Sequence, residues 1–310
     1  MRLRLRGPRI GFDSIAMVNR HLIEELSKLG VEFGDVNVDF VIRHFYPEPD
    51  FDPDIAPVIW VQANESHEFP AHWAEGAKRI FKFWTYSHFV REQALKARVM
   101  EDKVDVLPLG TDPEVFTPGL TSFPIPTEKR FKFLYVGSLI HRKGVDLLLQ
   151  AFLEEFKMED DVVLIFKSSY YNHYEMVQKI KESLGSGKVL LIPWQFDEQQ
   201  MASFYRACDC YVQPYRAEGF GLPMLEAMAC GVPLIAPNWG PVLDFANPLT
   251  ASLISMDLET LRKTMRIHYQ NSDKFKKTSL LESEYIRKKW THEASARWVL
   301  SRLECYRGEV

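Results

Sequence analysis

Short apolar runs alternate with stretches of helical spacing through most of the second half of the chain. Phe131–Val136 precedes a helical pattern over Val145–Phe156. Val162–Phe166 precedes Tyr174–Leu184, Val189–Pro193 precedes Glu198–Ala207, Cys210–Pro214 precedes Leu222–Cys230, and Pro233–Pro237 comes last. Runs that are apolar at every position, such as Val162-Val163-Leu164-Ile165-Phe166, suit strands covered on both faces, because crossover helices lie above and below a parallel sheet. The rhythm predicts a doubly wound α/β domain. A weaker version fills the first half: helices over Asn19–Leu29 and His88–Arg98, and strands over Val36–Arg43, Val58–Gln62, Phe81–Tyr86 and Val104–Leu109. Arg2, Arg4 and Arg6 alternate as on a strand. This stretch is short for a complete doubly wound domain, so a shortened one is expected.

Three prolines and a glycine between Thr117 and Thr127 mark a linker. The expected division is residues 1–118, residues 119–282, and residues 283–310 packing back across both domains. Within the last segment Glu282–Tyr306 has the apolar spacing of one helix, and Trp290 and Trp298 on it read as packing residues.

Composition narrows the class. The 310 residues are 46% hydrophobic and 26% charged, values of a folded globular chain. A net charge of -4 argues against a nucleic-acid partner. Cys208, Cys210, Cys230 and Cys305 show no C-x2-C spacing, so they read as reduced thiols with neither a metal site nor a disulfide framework. The basic start Met1–Arg6 is not followed by the apolar run of a signal peptide, and nothing reaches the length of a membrane span. The expectation is a cytoplasmic protein, with at most peripheral contact at the inner face of a membrane.

Two segments suggest chemistry. Phe133–Val136 runs into Gly137-Ser138-Leu139-Ile140-His141-Arg142-Lys143-Gly144, a buried strand leading into a glycine-bounded turn with two adjacent cations and then a helix. Ligands of parallel sheets sit beyond the carboxyl ends of the strands, where helix N-termini present free N–H groups. Arg142 and Lys143 face a phosphate in that setting, although the bare triplet also suits the solvated start of a helix. The second segment is Glu218-Gly219-Phe220-Gly221-Leu222-Pro223-Met224-Leu225-Glu226. Pro223 suits a first helical turn, and Gly231 ends that helix. Taken alone, Glu226 reads as a capping carboxylate and Glu218 as a surface acid. Neither a G-x-G-x-x-G loop nor a Walker-type loop is present.

Taken together, the Gly137–Gly144 turn, the Glu218–Glu226 block and the following Pro233-Leu234-Ile235-Ala236-Pro237 with Gly240 resemble the donor-site motifs of glycosyltransferase family 4. The likeness is strong over residues 104–245, moderate in the C-terminal helix and loose before residue 100. It implies two Rossmann-like domains facing a central cleft, the GT-B fold, with a nucleotide sugar held by the second domain. It also implies transfer of a hexose with retention of anomeric configuration, without an obligatory metal or other cofactor. The donor would be UDP- or GDP-linked, and the acceptor a saccharide, a lipid-linked compound or another small hydroxyl compound.

By the same resemblance Gly137, Ser138, Arg142 and Lys143 meet the diphosphate, and backbone around Phe220, Gly221 and Leu222 meets the sugar or phosphate. Glu226 accepts from the ribose hydroxyls, and Glu218 contacts the transferred sugar. Fixed cations there stabilise the charge that develops on the leaving diphosphate, so Arg142, Lys143 and Glu218 are the catalytic candidates. Ser138 departs from the family pattern, which has Arg at that position. Trp194 falls in the region where relatives hold the base. In the first domain, Gly11 and Asp13 occupy the place of a donor-approaching loop. His67 and His44 are the candidates for a histidine beside the sugar; His67, which follows the Val58–Gln62 strand where the expected cleft lies, is preferred and joins the catalytic candidates. Two other readings share these motifs: a nucleotide-sugar- or partner-binding module without turnover, and a protein-directed glycosyltransferase.

Overall fold

The computed structural model describes residues 1–11, 13–44, 54–66, 68–119, 121–169, 174–185 and 187–309. The chain divides into two compact units, Met1–Gly110 with Trp290–Val310, and Thr111–Lys289. Each is built on a parallel sheet.

In the first and smaller unit the strands are β1 (Arg2–Arg6), β2 (Glu32–Phe33), β3 (Phe40–Arg43), β4 (Val58–Val61), β5 (Lys82–Thr85) and β6 (Val104–Val106), in the order β2-β1-β3-β4-β5-β6. The order reverses between β1 and β3. Helices α1 (Ser14–Lys28), α2 (Ala71–Ala77) and α3 (His88–Lys96) connect them. An aromatic cluster fills one side: Trp60 stacks on Phe83 at 4.8 Å and meets Trp73 edge-on at 5.2 Å. Helix α1 starts before its expected bound because the Asp13 carboxylate accepts from the N–H of Ala16 at 2.9 Å, capping the first turn. The strand expected over Val36–Arg43 begins only at Phe40, and Asn37 before it sits at φ 52°, which interrupts extended backbone.

The second unit holds β7 (Phe131–Val136), β8 (Val162–Lys167), β9 (Val189–Ile192), β10 (Cys210–Val212), β11 (Leu234–Pro237) and β12 (Ser252–Ile254), in the order β12-β11-β10-β7-β8-β9. All these pairings are parallel. Its helices are α4 (Val145–Glu155), α5 (Tyr174–Leu184), α6 (Glu198–Arg206), α7 (Leu222–Ala229), α8 (Leu258–Gln270) and α9 (Ser272–Lys289). Strand β8 is buried at every position, as a strand between two layers of helices must be. Helix α9 covers the end of α7: the hydroxyls of Ser279 and Ser283 donate to the carbonyls of Gly231 and Ala229 at 2.7 and 2.6 Å, satisfying acceptors that a helix terminus leaves open.

The single helix expected over Glu282–Tyr306 is two. Helix α9 stops at Lys289, and α10 (His292–Tyr306) starts afresh because the Thr291 side chain caps it by accepting from the N–H of Ala294 at 3.0 Å. Helix α10 belongs to the first unit, where it packs on α1, and Trp84 Nε1 donates to its Tyr306 hydroxyl at 3.1 Å. Cys208, Cys210 and Cys230 are buried free thiols and Cys305 is an exposed one. Among the described residues no helix is long and apolar enough to cross a membrane.

Candidate functional site

In the second unit the strand order reverses between β7 and β10, and the crevice outside such a reversal is where open parallel sheets take ligands. Two loops meet there, the turn after β7 that carries Arg142 and Lys143, and the loop after β10 that carries Glu218. They are tied to each other by a backbone and a side-chain hydrogen bond. The N–H of Arg216 donates to the carbonyl of Arg142 at 2.7 Å, and Arg142 Nη1 donates to the carbonyl of Ala217 at 2.9 Å. Arg216 reaches back with both terminal nitrogens to Asp146 of α4, at 2.7 and 2.9 Å, and also donates to the carbonyl of His141 at 2.6 Å. A bidentate guanidinium–carboxylate pair fixes orientation as well as distance. Gly144 makes the approach possible: it sits at φ 73°, and a Cβ there would lie 1.8 Å from the carbonyl oxygen of Pro214.

Within this frame Lys143 Nζ donates to Glu218 Oε2. Glu218 is only 4% exposed, and its second oxygen accepts from the N–H of Gly219 at 3.1 Å. Burial alone pushes its carboxyl up, but the charges of Lys143 and Arg142 and these hydrogen bonds outweigh that and hold it below the usual glutamate range. The result is a buried carboxylate that stays ionised beside two cations. At the next loop Gly221 stands at φ 92° and starts α7, where a Cβ would lie 2.1 Å from Met224 Cε. Phe220 is buried against Phe245 at 5.3 Å, and Leu222 and Pro223 open the helix. Glu226 lies further along α7 and accepts from the buried Tyr205 hydroxyl at 2.7 Å.

The other candidates separate clearly. Gly137 and Ser138 follow β7 directly, and the Ser138 carbonyl accepts from the Tyr135 hydroxyl at 2.8 Å. Trp194 follows β9 at 52% exposure, with its ring 6.4 Å from that of Phe196. In the first unit Asp13 is engaged as the cap of α1, and the Gly11 carbonyl accepts from Arg20 at 2.7 Å. His44 follows β3 at that unit's own strand reversal, but it is fully enclosed. Its Nδ1 lies 2.6 Å from Asn19 Oδ1, and its Nε2 is bonded to the Tyr86 hydroxyl. His67 lies outside the described residues.

Some contributors had no motif to announce them. The Arg216–Asp146 clamp joins residues far apart in sequence, so spacing could not reveal it. Lys167 carried a readable signal, as the one cation closing the otherwise apolar strand Val162–Lys167.

Residues 122–254 match the family model described as "Glycosyl transferases group 1". A D-inositol 3-phosphate glycosyltransferase of Mycolicibacterium smegmatis is 33% identical over 147 residues, covering 44% of this chain. That alignment spans only 33% of the relative's own length. Among solved structures, Anabaena HepE in complex with UDP-glucose aligns with a TM-score of 0.78 at 11% identity, covering 98% of this chain and 100% of that one. Sucrose-phosphate synthase from Thermosynechococcus elongatus aligns with a TM-score of 0.76 at 16% identity, covering 100% of both chains. The chain therefore has the two-unit α/β architecture, GT-B, of these solved structures, and its second unit carries the segment that matches Glycosyl transferases group 1.

Proposed function

We propose that the protein is a retaining glycosyltransferase that moves a hexose from a UDP- or GDP-linked sugar to a hydroxyl of a saccharide, a lipid-linked compound or another small acceptor. The observation that carries this reading is the buried Lys143–Glu218 pair at the strand reversal of the second unit, held between two loops that are clamped to each other. The family match over the same segment supports it, as do a curated relative that is a glycosyltransferase and a solved neighbour holding UDP-glucose.

Cleaving the bond from the anomeric carbon to the diphosphate leaves negative charge on the departing oxygen. Lys143 and Arg142 are fixed cations beside that oxygen's expected position, and fixing them before reaction avoids reorganisation during it. Gly137, Ser138 and the backbone of Phe220, Gly221 and Leu222 complete the diphosphate and sugar contacts, and Glu226 accepts from the ribose. Glu218, kept ionised, accepts from hydroxyls of the transferred sugar and steadies positive charge developing on its ring. We assign the acceptor to the first unit.

The test is transfer itself. Incubation with UDP- and GDP-hexoses and a panel of saccharide and lipid-linked acceptors is expected to release nucleoside diphosphate and give a product whose anomeric configuration, read by NMR, matches the donor's. An inverted product would overturn the stereochemical assignment, and no release from any donor would overturn the activity.

A further inference from the structure

Where α7 ends against α9, the second unit encloses a cavity of about 10 Å³ whose lining includes Met228 of α7, Val232, Thr250, and Ser279 and Glu282 of α9. That is room for one occupant the size of a water molecule. Glu282 is only 6% exposed, yet its carboxylate is half satisfied. One oxygen, Oε2, accepts from the Thr250 hydroxyl, and Oε1 is buried with no hydrogen-bond partner among the described residues. No lysine, arginine or histidine among them pairs with this carboxylate.

A buried charge is costly unless it is paired or coordinates a metal. The place adds to that cost, because the last carbonyls of a helix carry partial negative charge, which favours cations and opposes anions. The carbonyls of Ala229 and Gly231 lie at this end of α7 and accept from Ser283 and Ser279 of α9. Carboxylate and helix end therefore both call for positive charge at one spot. The polar side chains lining the cavity all offer oxygen, the donor that hard cations take. The hydroxyls of Thr250 and Ser279 each have an acceptor for their single hydrogen, so their lone pairs remain for an ion. A single carboxylate balances a single charge, and an unhydrated potassium ion is about the size of a water molecule.

We propose that Glu282, with the hydroxyls of Thr250 and Ser279, holds a monovalent cation of potassium's size at the junction of α7 and α9. The ion neutralises the buried carboxylate and caps the negative end of α7, so the folded second unit binds it and the unfolded chain does not.

Thermal unfolding in potassium chloride and in tetramethylammonium chloride at one ionic strength tests this. Both salts screen charge alike, but tetramethylammonium is too large for the cavity, and an ion bound only by the folded state raises the midpoint by mass action. At about ten times the dissociation constant the rise for a chain of this size is about 2 °C. Wild type is expected to unfold at least that much higher in potassium. Glu282→Gln, which keeps the shape and removes the charge, should unfold at the same midpoint in both salts. Crystals soaked in thallium(I) nitrate, thallium being the heavy counterpart of potassium, should show an anomalous peak beside Glu282. Equal wild-type midpoints in the two salts, a potassium preference that survives unchanged in Glu282→Gln, or an ordered water without anomalous signal in the soaked crystal would each overturn the proposal. If Glu282→Gln fails to fold, the soaked crystal decides.

Discussion

Glu218→Gln is expected to lower the transfer rate at least about a hundredfold, the scale seen when one fixed charge-stabilising group is removed from an active site. Affinity for the free nucleoside diphosphate should stay the same or tighten. The two effects separate because a free diphosphate carries no sugar for Glu218 to contact, while loss of the carboxylate releases Lys143 from its ion pair to meet phosphate. Steady-state kinetics and calorimetry on the same preparation check both. Near-normal turnover would remove Glu218 from the chemistry. The partner variant, Lys143→Met, should behave in the opposite sense. It leaves a carboxylate that is 4% exposed without its main counter-charge, a loss that costs about 3 to 5 kcal/mol of stability in comparable buried pairs, and it should abolish diphosphate binding.

The second large effect is acid lability, and its source lies away from the candidate site. His44 in the first unit and His268 in the second are buried, and burial drives the pKa of each from 6.5 down to about 3. The bonding around His44 shows why. The Asn19 amide nitrogen donates to the carbonyls of Pro8 and His44, so its oxygen accepts from His44 Nδ1–H, and Nε2 is left to accept from Tyr86. The neutral ring is satisfied at both nitrogens, and a second proton would have to displace the Tyr86 bond. His268 is similarly enclosed, with Ser252 Oγ 2.8 Å from Nε2 and the Phe275 ring stacked at 3.7 Å.

In both cases the folded state resists protonation, so the unfolded chain binds more protons below pH 6.5. Stability is then fully present above pH 6.5 and is lost as pH falls from there toward about 3. Each unit should lose about 1.4 kcal/mol per pH unit through its own histidine. Urea unfolding at about pH 7.5, 6 and 5 measures the slope. His44→Gln, which keeps a donor and an acceptor, is expected to flatten it by about one proton, and an unchanged slope in that variant would contradict the assignment.

The parallel sheet of the second unit was legible because its strands are buried on both faces, and Val162–Lys167 shows that as an unbroken apolar run. Local signals served equally well where one residue type does one job, as at Pro223 in the first turn of α7. Legibility ended where polar residues carried the structure. Helix α8 buries Leu261, Met265 and His268 and packs Leu258 and Tyr269 beside them, so its core-facing stripe includes a histidine and a tyrosine that do not read as apolar positions. The break between α9 and α10 turns on one threonine whose capping bond is invisible until the chain bends.

The candidate site divides along the same line. Arg142, Lys143 and Glu218 stood out because they sit in glycine-bounded loops after apolar strands, and Glu226 because it follows one of these loops in helix α7. Only loop position ranks the histidines, His67 ahead of His44, since sequence does not say whether a loop histidine faces solvent or, like His44, closes on an asparagine and a tyrosine far away in the chain.

The central claim is that a nucleoside diphosphate binds at the strand reversal of the second unit. Amide hydrogen exchange with and without saturating UDP or GDP tests it most directly. The account predicts slowed exchange in the peptides covering residues 137–144, 167–168 and 218–226, and loss of that protection in Glu226→Ala. Protection elsewhere in the chain with these peptides unchanged, or no protection by either nucleotide in the folded protein, would contradict it.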